Sequence, residues 1–247
     1  MERLSHVEEL LDGPLDDPGA LIGNLRDLAR ANRWLGGVRL SAAGLAVLVP
    51  RGTPLTVLDV GTGGADIPLA LIDRARAAGT RLSVTATDSR SEVLAAAVLA
   101  QPRLATTPDL ALRVADGRSL PFPDRSFDIA HSSMVLHHLE PPAAVEVLRE
   151  MARVARRGIV VNDLVRSRRA WIGAWLLGHL ATTNRYTRVD GPLSVRRAYT
   201  VAELTSLIAA AGLRVEATAL DPFWHRVMLA ATASPPSDPD AEQGTRE

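Results

Sequence analysis

The chain contains no cysteine, which excludes disulfides, thiolate metal sites and a cysteine nucleophile. It contains no lysine either; all 28 basic residues are arginine. Lysine Schiff-base chemistry and a lysine general base are therefore excluded. Neither sign of charge is in excess, with 28 acidic residues against 28 basic ones, so no global field draws the chain toward nucleic acid. Long hydrophobic runs are missing too. The longest, over residues 170–177, is too short to span a bilayer. Residues 1–9 are charged and do not read as a signal peptide. From these absences we expect a cytoplasmic protein with no stable membrane insertion and no nucleic-acid partner. A length of 247 residues suits one α/β domain with additions.

What is present is organised around residues 55–66, Leu-Thr-Val-Leu-Asp-Val-Gly-Thr-Gly-Gly-Ala-Asp. Leu55 to Val60 is an apolar, β-branched run between Pro54 and glycine, the pattern of a buried parallel strand. Gly61, Gly63 and Gly64 can turn sharply and leave no side chain between backbone and ligand. Residues 65–78 then read as a helix. A strand, a glycine turn and a helix start make a nucleotide-type cradle at the carboxyl end of a sheet. A dinucleotide fingerprint would want glycine where Asp66 stands. A carboxylate there disfavours a pyrophosphate and tolerates a cofactor that carries an amino acid and a sulfonium. The stretch resembles motif I of the class I S-adenosylmethionine (SAM) methyltransferases, acid-x-Gly-x-Gly-x-Gly. Asp59, Gly61 and Gly63 match, and Ala65 replaces the third glycine. Thr62 lies in the same loop and is included among the cofactor contacts.

Upstream, residues 1–19 are polar and end in a turn. Residues 20–34 and 38–49 have helical spacing and are expected to cap the sheet. At their junction Arg33 either stays in solvent or pairs with the cofactor's carboxylate. Downstream, residues 81–87 alternate as a second strand ending in Asp88. Its distance from the glycine turn suits an acid that accepts both hydroxyls of a ribose, with Ser89 beside it; the alternative is that Asp88 caps the helix at 91–100. A third strand at 109–115 precedes Asp116-Gly117. Residues 116–139 then carry Asp-Gly-x-x-Leu-Pro-Phe-x-Asp-x-Ser-Phe-Asp, a strand and His-His-Leu. This resembles motifs II to IV of small-molecule SAM methyltransferases, among them the ubiquinone and menaquinone C-methyltransferases. The resemblance implies that Asp116 bonds the adenine amino group, that Gly117 packs beside the ring and that His131 and Ser132 line the cofactor. Phe127 and Ile129 read as buried strand, and Asp128 as a turn acid.

His137 and His138 follow the fourth strand, at the edge where substrate belongs. Histidine titrates near neutrality, so one of them is the candidate base, with His137 preferred. The alternative is that the pair packs a helix start. A helix at 141–155 leads to a fifth strand at 159–161. Asn162 and Asp163 either face substrate or, for Asp163, cap the next helix. Residues 166–181 read as an amphipathic helix whose Trp171 and Trp175 wall an apolar substrate site or lie on a membrane surface. Residues 182–197 read as a polar loop within a lid. A capping box opens a helix at Thr200, and strands at 213–219 and 223–231 close the sheet. The resemblance implies strand order 3-2-1-4-5-7-6 and a Rossmann-like seven-stranded α/β fold. We therefore expect a helical cap (1–50), a SAM-binding domain (51–232) with an insertion at 164–198 as lid, and a disordered tail at 233–247.

The chemistry expected is SAM-dependent methyl transfer to a small apolar acceptor, with no metal. Residues 26–37 and 196–200 loosely resemble bacterial methyltransferases encoded near polyketide pathways. That resemblance implies a phenolic acceptor and O-methylation. C-methylation of a quinol-type ring and a non-catalytic SAM-binding protein are the alternatives, and a homodimer is left open.

Overall fold

The computed structural model describes residues 1–234. Its centre is a seven-stranded sheet in the order β3-β2-β1-β4-β5-β7-β6. The strands are β1 (Leu55–Val60), β2 (Leu82–Asp88), β3 (Leu110–Val114), β4 (Phe127–Ser133), β5 (Ala155–Leu164), β6 (Leu213–Leu220) and β7 (Arg226–Ala233). The first five run parallel, and β7 pairs antiparallel with both β5 and β6. This is the order expected from the sequence.

Period-two alternation divides the core. Val57, Ile129 and Val160 point to one face, and Leu58, Ala130 and Ile159 to the other. The first face is covered by α1 (Pro18–Trp34), α2 (Gly37–Leu48), α3 (Asp66–Ala77) and α4 (Ser91–Ala100); the second by α5 (Pro141–Val154) and α8 (Val201–Ala210). Between β5 and α8 lie α6 (Arg168–Leu180) and α7 (Arg185–Arg197). Among the described residues no helix is long and apolar enough to cross a membrane.

Local chemistry sets the helix starts. Asp17 accepts from Ala20 N at 2.8 Å ahead of Pro18, and Thr200 and Glu203 form the expected capping box of α8. Three elements differ from the sequence reading. Residues 182–197 are largely helix, not loop. Gly191-Pro192 and a polar composition read as irregular, but Asn184 caps the helix through Tyr186 N and Thr187 N. The face α7 buries is itself polar, with Asp190, Ser194 and Arg197 inward. Strand β5 begins earlier, at Ala155, which pairs with Phe127, and the exposed Arg156 and Arg157 lie 3.6 and 3.7 Å from Asp128 on β4. Finally, α2 lies on the sheet face against β5 and β7 rather than over its edge. Gly44 allows that approach, since a Cβ there would sit 2.5 Å from Val160 Cγ1. Of the tail expected at 233–247, Ala233 belongs to β7 and everything from 235 lies outside the described residues.

Candidate active site

At the carboxyl end of β1 the chain turns through Gly61 with φ of 70°, and a Cβ there would meet Val135 Cγ2 at 2.4 Å. Both conformation and space demand glycine. Thr62 N donates to Thr87 O (2.7 Å), and Gly63 N donates to Asp88 Oδ2 (3.0 Å). The other oxygen of Asp88 accepts from Arg90 N (3.1 Å). Asp88 thus clamps two loops and does not cap α4, whose N-cap is Arg90. Burial raises its pKa against those two N–H bonds. The loops surround a cavity of about 390 Å³ bordered by Asp59, Gly61, Thr62 and Gly63, by Asp88 and Ser89, and by Asp116 and Gly117. Gly117 is also required by space, its Cβ position lying 2.9 Å from Val60 Cγ1. Asp116 pairs with Arg118 at 2.9 Å, whose hydrogen bonds hold its carboxyl below the usual range.

Three expected contacts lie elsewhere. His131 and Ser132 do not border the cavity; each is about 1 % exposed. Strand alternation turns His131 toward α2, between Asp59 Oδ1 (2.5 Å) and Ser41 Oγ (2.8 Å). Ser132 Oγ donates to Val60 O (3.1 Å). The next residues, Ser133 and Met134, reach the cavity instead. Arg33 is exposed and lies over the Trp34 ring, 5.7 Å from its centre. Its neighbour Asn32 is the inward residue, donating to Asp66 Oδ2 (3.0 Å) and accepting from Arg226 NH1 (2.8 Å). Arg226 is a fully enclosed cation whose pKa burial lowers.

A second cavity of about 670 Å³ adjoins the first. Leu11, Leu28, Met134 and His138 border both. Leu35, Leu164, Ala174, Leu177 and Val195 give it apolar walls. At its polar end lies a cluster of titratable groups. His137 Nδ1 is 2.6 Å from Asp163 Oδ1, and its backbone N donates to Asp163 Oδ2 (3.3 Å). An ionised carboxylate on Nδ1 places the proton there and leaves Nε2 as an acceptor. Burial alone would raise the Asp163 pKa, but His137 and the Leu164 N–H outweigh it and hold it down. Asp163 therefore orients His137 and does not cap α6; Ser167 does that, accepting from Ala170 N. Residues 136–138 form a 3₁₀ turn rather than an α-helix; the two imidazoles lie 4.3 Å apart, tilted by 35°, and both border this cavity.

Glu9 was not singled out in the sequence. It is 3 % exposed, with Oε2 accepting from Ser194 Oγ (2.8 Å). Its Oε1 has no hydrogen-bond partner and lies 4.0 Å from His137 Nε2 and 3.8 Å from His138 Nδ1. Burial pushes its pKa up to about 7, over the opposing influence of His138. Asp12 behaves oppositely. Its oxygens meet His138 Nδ1 (2.9 Å) and Arg197 NH1 (2.5 Å), which override burial and hold its pKa well below the carboxylate range. No local pattern marks Glu9, because its partners come from α7 and from the turn after β4. Glu9, His137 and His138 bring ligand-type atoms within 4.8 Å of one another. The Arg197 guanidinium, 3.6 Å from Glu9 Oε1, already supplies positive charge there. The arrangement can therefore accept a hydrogen bond and a proton without an ion.

Residues 57–158 match the family model described as a methyltransferase domain. The ubiquinone/menaquinone biosynthesis C-methyltransferase UbiE of Rickettsia bellii is 33% identical over 100 residues, 40% of each chain. The phosphatidylethanolamine N-methyltransferase of Cereibacter sphaeroides is 34% identical over 116 residues, 45% of this chain and 52% of that one. The chain thus aligns with about half or less of the length of these curated relatives. Among solved structures, a SAM-dependent methyltransferase from Aquifex aeolicus superposes with a TM-score of 0.59 at 20% identity, covering 87% of this chain and 97% of that one. Human N-acetylserotonin methyltransferase gives 0.62 at 18% identity, covering 92% and 60%. These likenesses concern the fold. Residues 57–158 thus carry a methyltransferase domain, set in a sheet with the strand order that the class I SAM-dependent methyltransferase resemblance implies.

Proposed function

We propose that this protein transfers a methyl group from SAM to a hydroxyl of a small, apolar, phenolic acceptor. The observation that carries the reading is the junction of the two cavities, with a buried, carboxylate-oriented histidine at the acceptor side. The glycine loop supports a cofactor there, because Gly63 borders the cavity with a φ of 52° and a Cβ on it would stand in open space. Asp88 and Asp116 border the same cavity, which supports reading them as acceptors for the cofactor's hydroxyl and amino hydrogens. When bound, SAM supplies a methyl already activated on a sulfonium. The protein then has to align the acceptor, exclude water and remove one proton. Alignment contributes on the order of 7–11 kcal/mol, and a placed base typically ~10²–10⁴-fold. His137 is our base, oriented by Asp163, with Glu9 Oε1 as a second acceptor for the hydroxyl; His138 stands at the junction.

The relatives' names mention a carbon acceptor and an amine, so C-methylation of a quinol-type ring is the second reading. It uses the same cavity and the same base. Residues 1–50 and 164–198 are read as the cover of the 51–232 core, supported by α1 and α6 bordering the acceptor cavity. A small-molecule partner and a cytoplasmic setting belong to the same reading. Incubation with SAM and a panel of alkylresorcinols and related polyphenols, followed by mass spectrometry, tests it. O-methylated product is the expected result; product only from amines would overturn it.

A further inference from the structure

The outward face of α6 runs against the ordinary logic of a surface helix. Its inner side lines the acceptor cavity through Ala170, Ala174 and Leu177. Gly178 fits against α7, where a Cβ would lie 3.2 Å from Arg188 Cα. With one face so occupied, the other should be polar. Instead Ile172, Trp175, Leu176 and Leu180 follow at helical spacing and stand exposed, Leu180 at 81%. The helix contains no acidic residue.

Two other segments add to the same region. Trp34, 76% exposed, and Phe223 both line the acceptor cavity and face solvent, so they stand at its mouth. Beside Phe223, Trp224 holds a φ of 60° and is 63% exposed. A bulky residue in that conformation is an outlier held by its surroundings. The holder is Asp221, buried, whose carboxylate accepts from Phe223 N (2.7 Å), His225 N (2.8 Å) and Arg226 N (2.8 Å). The turn is fixed so that two aromatics project outward. Around these apolar groups Arg33, Arg168 and Arg169 are exposed and make no ion pair among the described residues.

We propose that this surface docks on an anionic lipid bilayer, with the outer face of α6 and the aromatics of Trp34, Phe223 and Trp224 in the interface and the arginines on lipid phosphates. Apolar and aromatic groups flanked by bare arginines match the headgroup boundary. A second copy of the chain offers no such match, because it would bring the same arginines against each other and stop the cavity mouth. The docking surface is independent of the reaction read for the site. It would let an amphiphilic ligand pass from lipid to the cavity without crossing water.

Flotation of the full chain with vesicles tests this. The protein should rise with vesicles containing phosphatidylglycerol, rise less with phosphatidylcholine alone, and lose binding as salt increases. Trp175→Glu with Leu180→Glu should abolish flotation while leaving calorimetric SAM binding intact, since neither residue borders either cavity. Arg168→Gln should weaken partitioning roughly fivefold. Three outcomes would overturn the proposal: no flotation of the unaltered chain on phosphatidylglycerol vesicles, undiminished flotation of the double variant, or a dimer in light scattering that the double variant dissolves without any vesicle binding. Each can be separated from failure of the methyl-transfer reading, which the SAM titration reports by itself.

Discussion

Glu9 and His137 show how single side chains acquire a chemistry that their neighbours in sequence do not suggest. Glu9 titrates near 7 in the folded chain against a usual 4.5, so between those values the folded state binds more protons than the unfolded one. Stability therefore falls as pH rises through that window, by roughly 3 kcal/mol at 1.36 kcal/mol per unit, and is flat above it. Glu9→Gln removes the window. Its melting temperature relative to the unaltered protein should rise from about pH 5 to about pH 8, while methyl transfer slows on the order of 10²-fold. Parallel pH curves for the two proteins would refute the assignment. A second pair separates two arginines. Arg33→Ala should leave SAM binding and stability unchanged, within ~0.5 kcal/mol. Arg226→Met should weaken SAM roughly tenfold in calorimetry, because Arg226 positions the Asn32–Asp66 pair at the end of the glycine loop. Equal effects from the two would contradict this placement.

Helices and strands form where a periodic pattern and a cap coincide, and their fit depends on a few small residues. Gly44 lets α2 lie close on β5 and β7. Gly44→Val should cost about 1–3 kcal/mol through overpacking and lower the melting temperature by roughly 2–12 °C; an unchanged melt would mean that α2 packs less closely than described. The strand–glycine–helix unit at 55–77 and the box at Thr200 could be read directly, since each depends on residues within a turn of one another. Helix α7 could not. Its inward Asp190 accepts from Leu10 N (2.9 Å) and Leu11 N (3.1 Å), so the polarity that suggested a loop is satisfied by a segment 180 residues away.

Across the molecule, the amino-terminal residues tie the cover to the core. Arg3 donates to Arg197 O, Glu140 and Leu139 O, and Leu4 N donates to Arg196 O. Farther along, Arg90 NH1 reaches Leu11 O and Gly13 O, both at 2.8 Å. The segment thus runs from α7 to α4 along the cavity junction, carrying Glu9 and Asp12 with it. Deleting residues 1–13 should leave the circular dichroism of the sheet and its helices largely intact and reduce methyl transfer to background. Full turnover by the shortened chain would show that the segment is only packing.

The sequence alone determined the strand pattern around the glycine cradle and the position of Asp88 after β2, because strand alternation, glycine conformation and loop spacing are local properties; the sheet order and the interest in Asp116 came through the family resemblance. It also placed the histidine pair just after β4, where both border the second cavity. Only the tertiary structure decided that His131 belongs to a buried Asp59–His131–Ser41 network, that Asp163 orients His137, and that Arg226 and Glu9 are among the charged groups facing inward while Arg33 faces out. The physical reason is that a charge leaves water only where partners await it, and here those partners arrive from opposite ends of the chain.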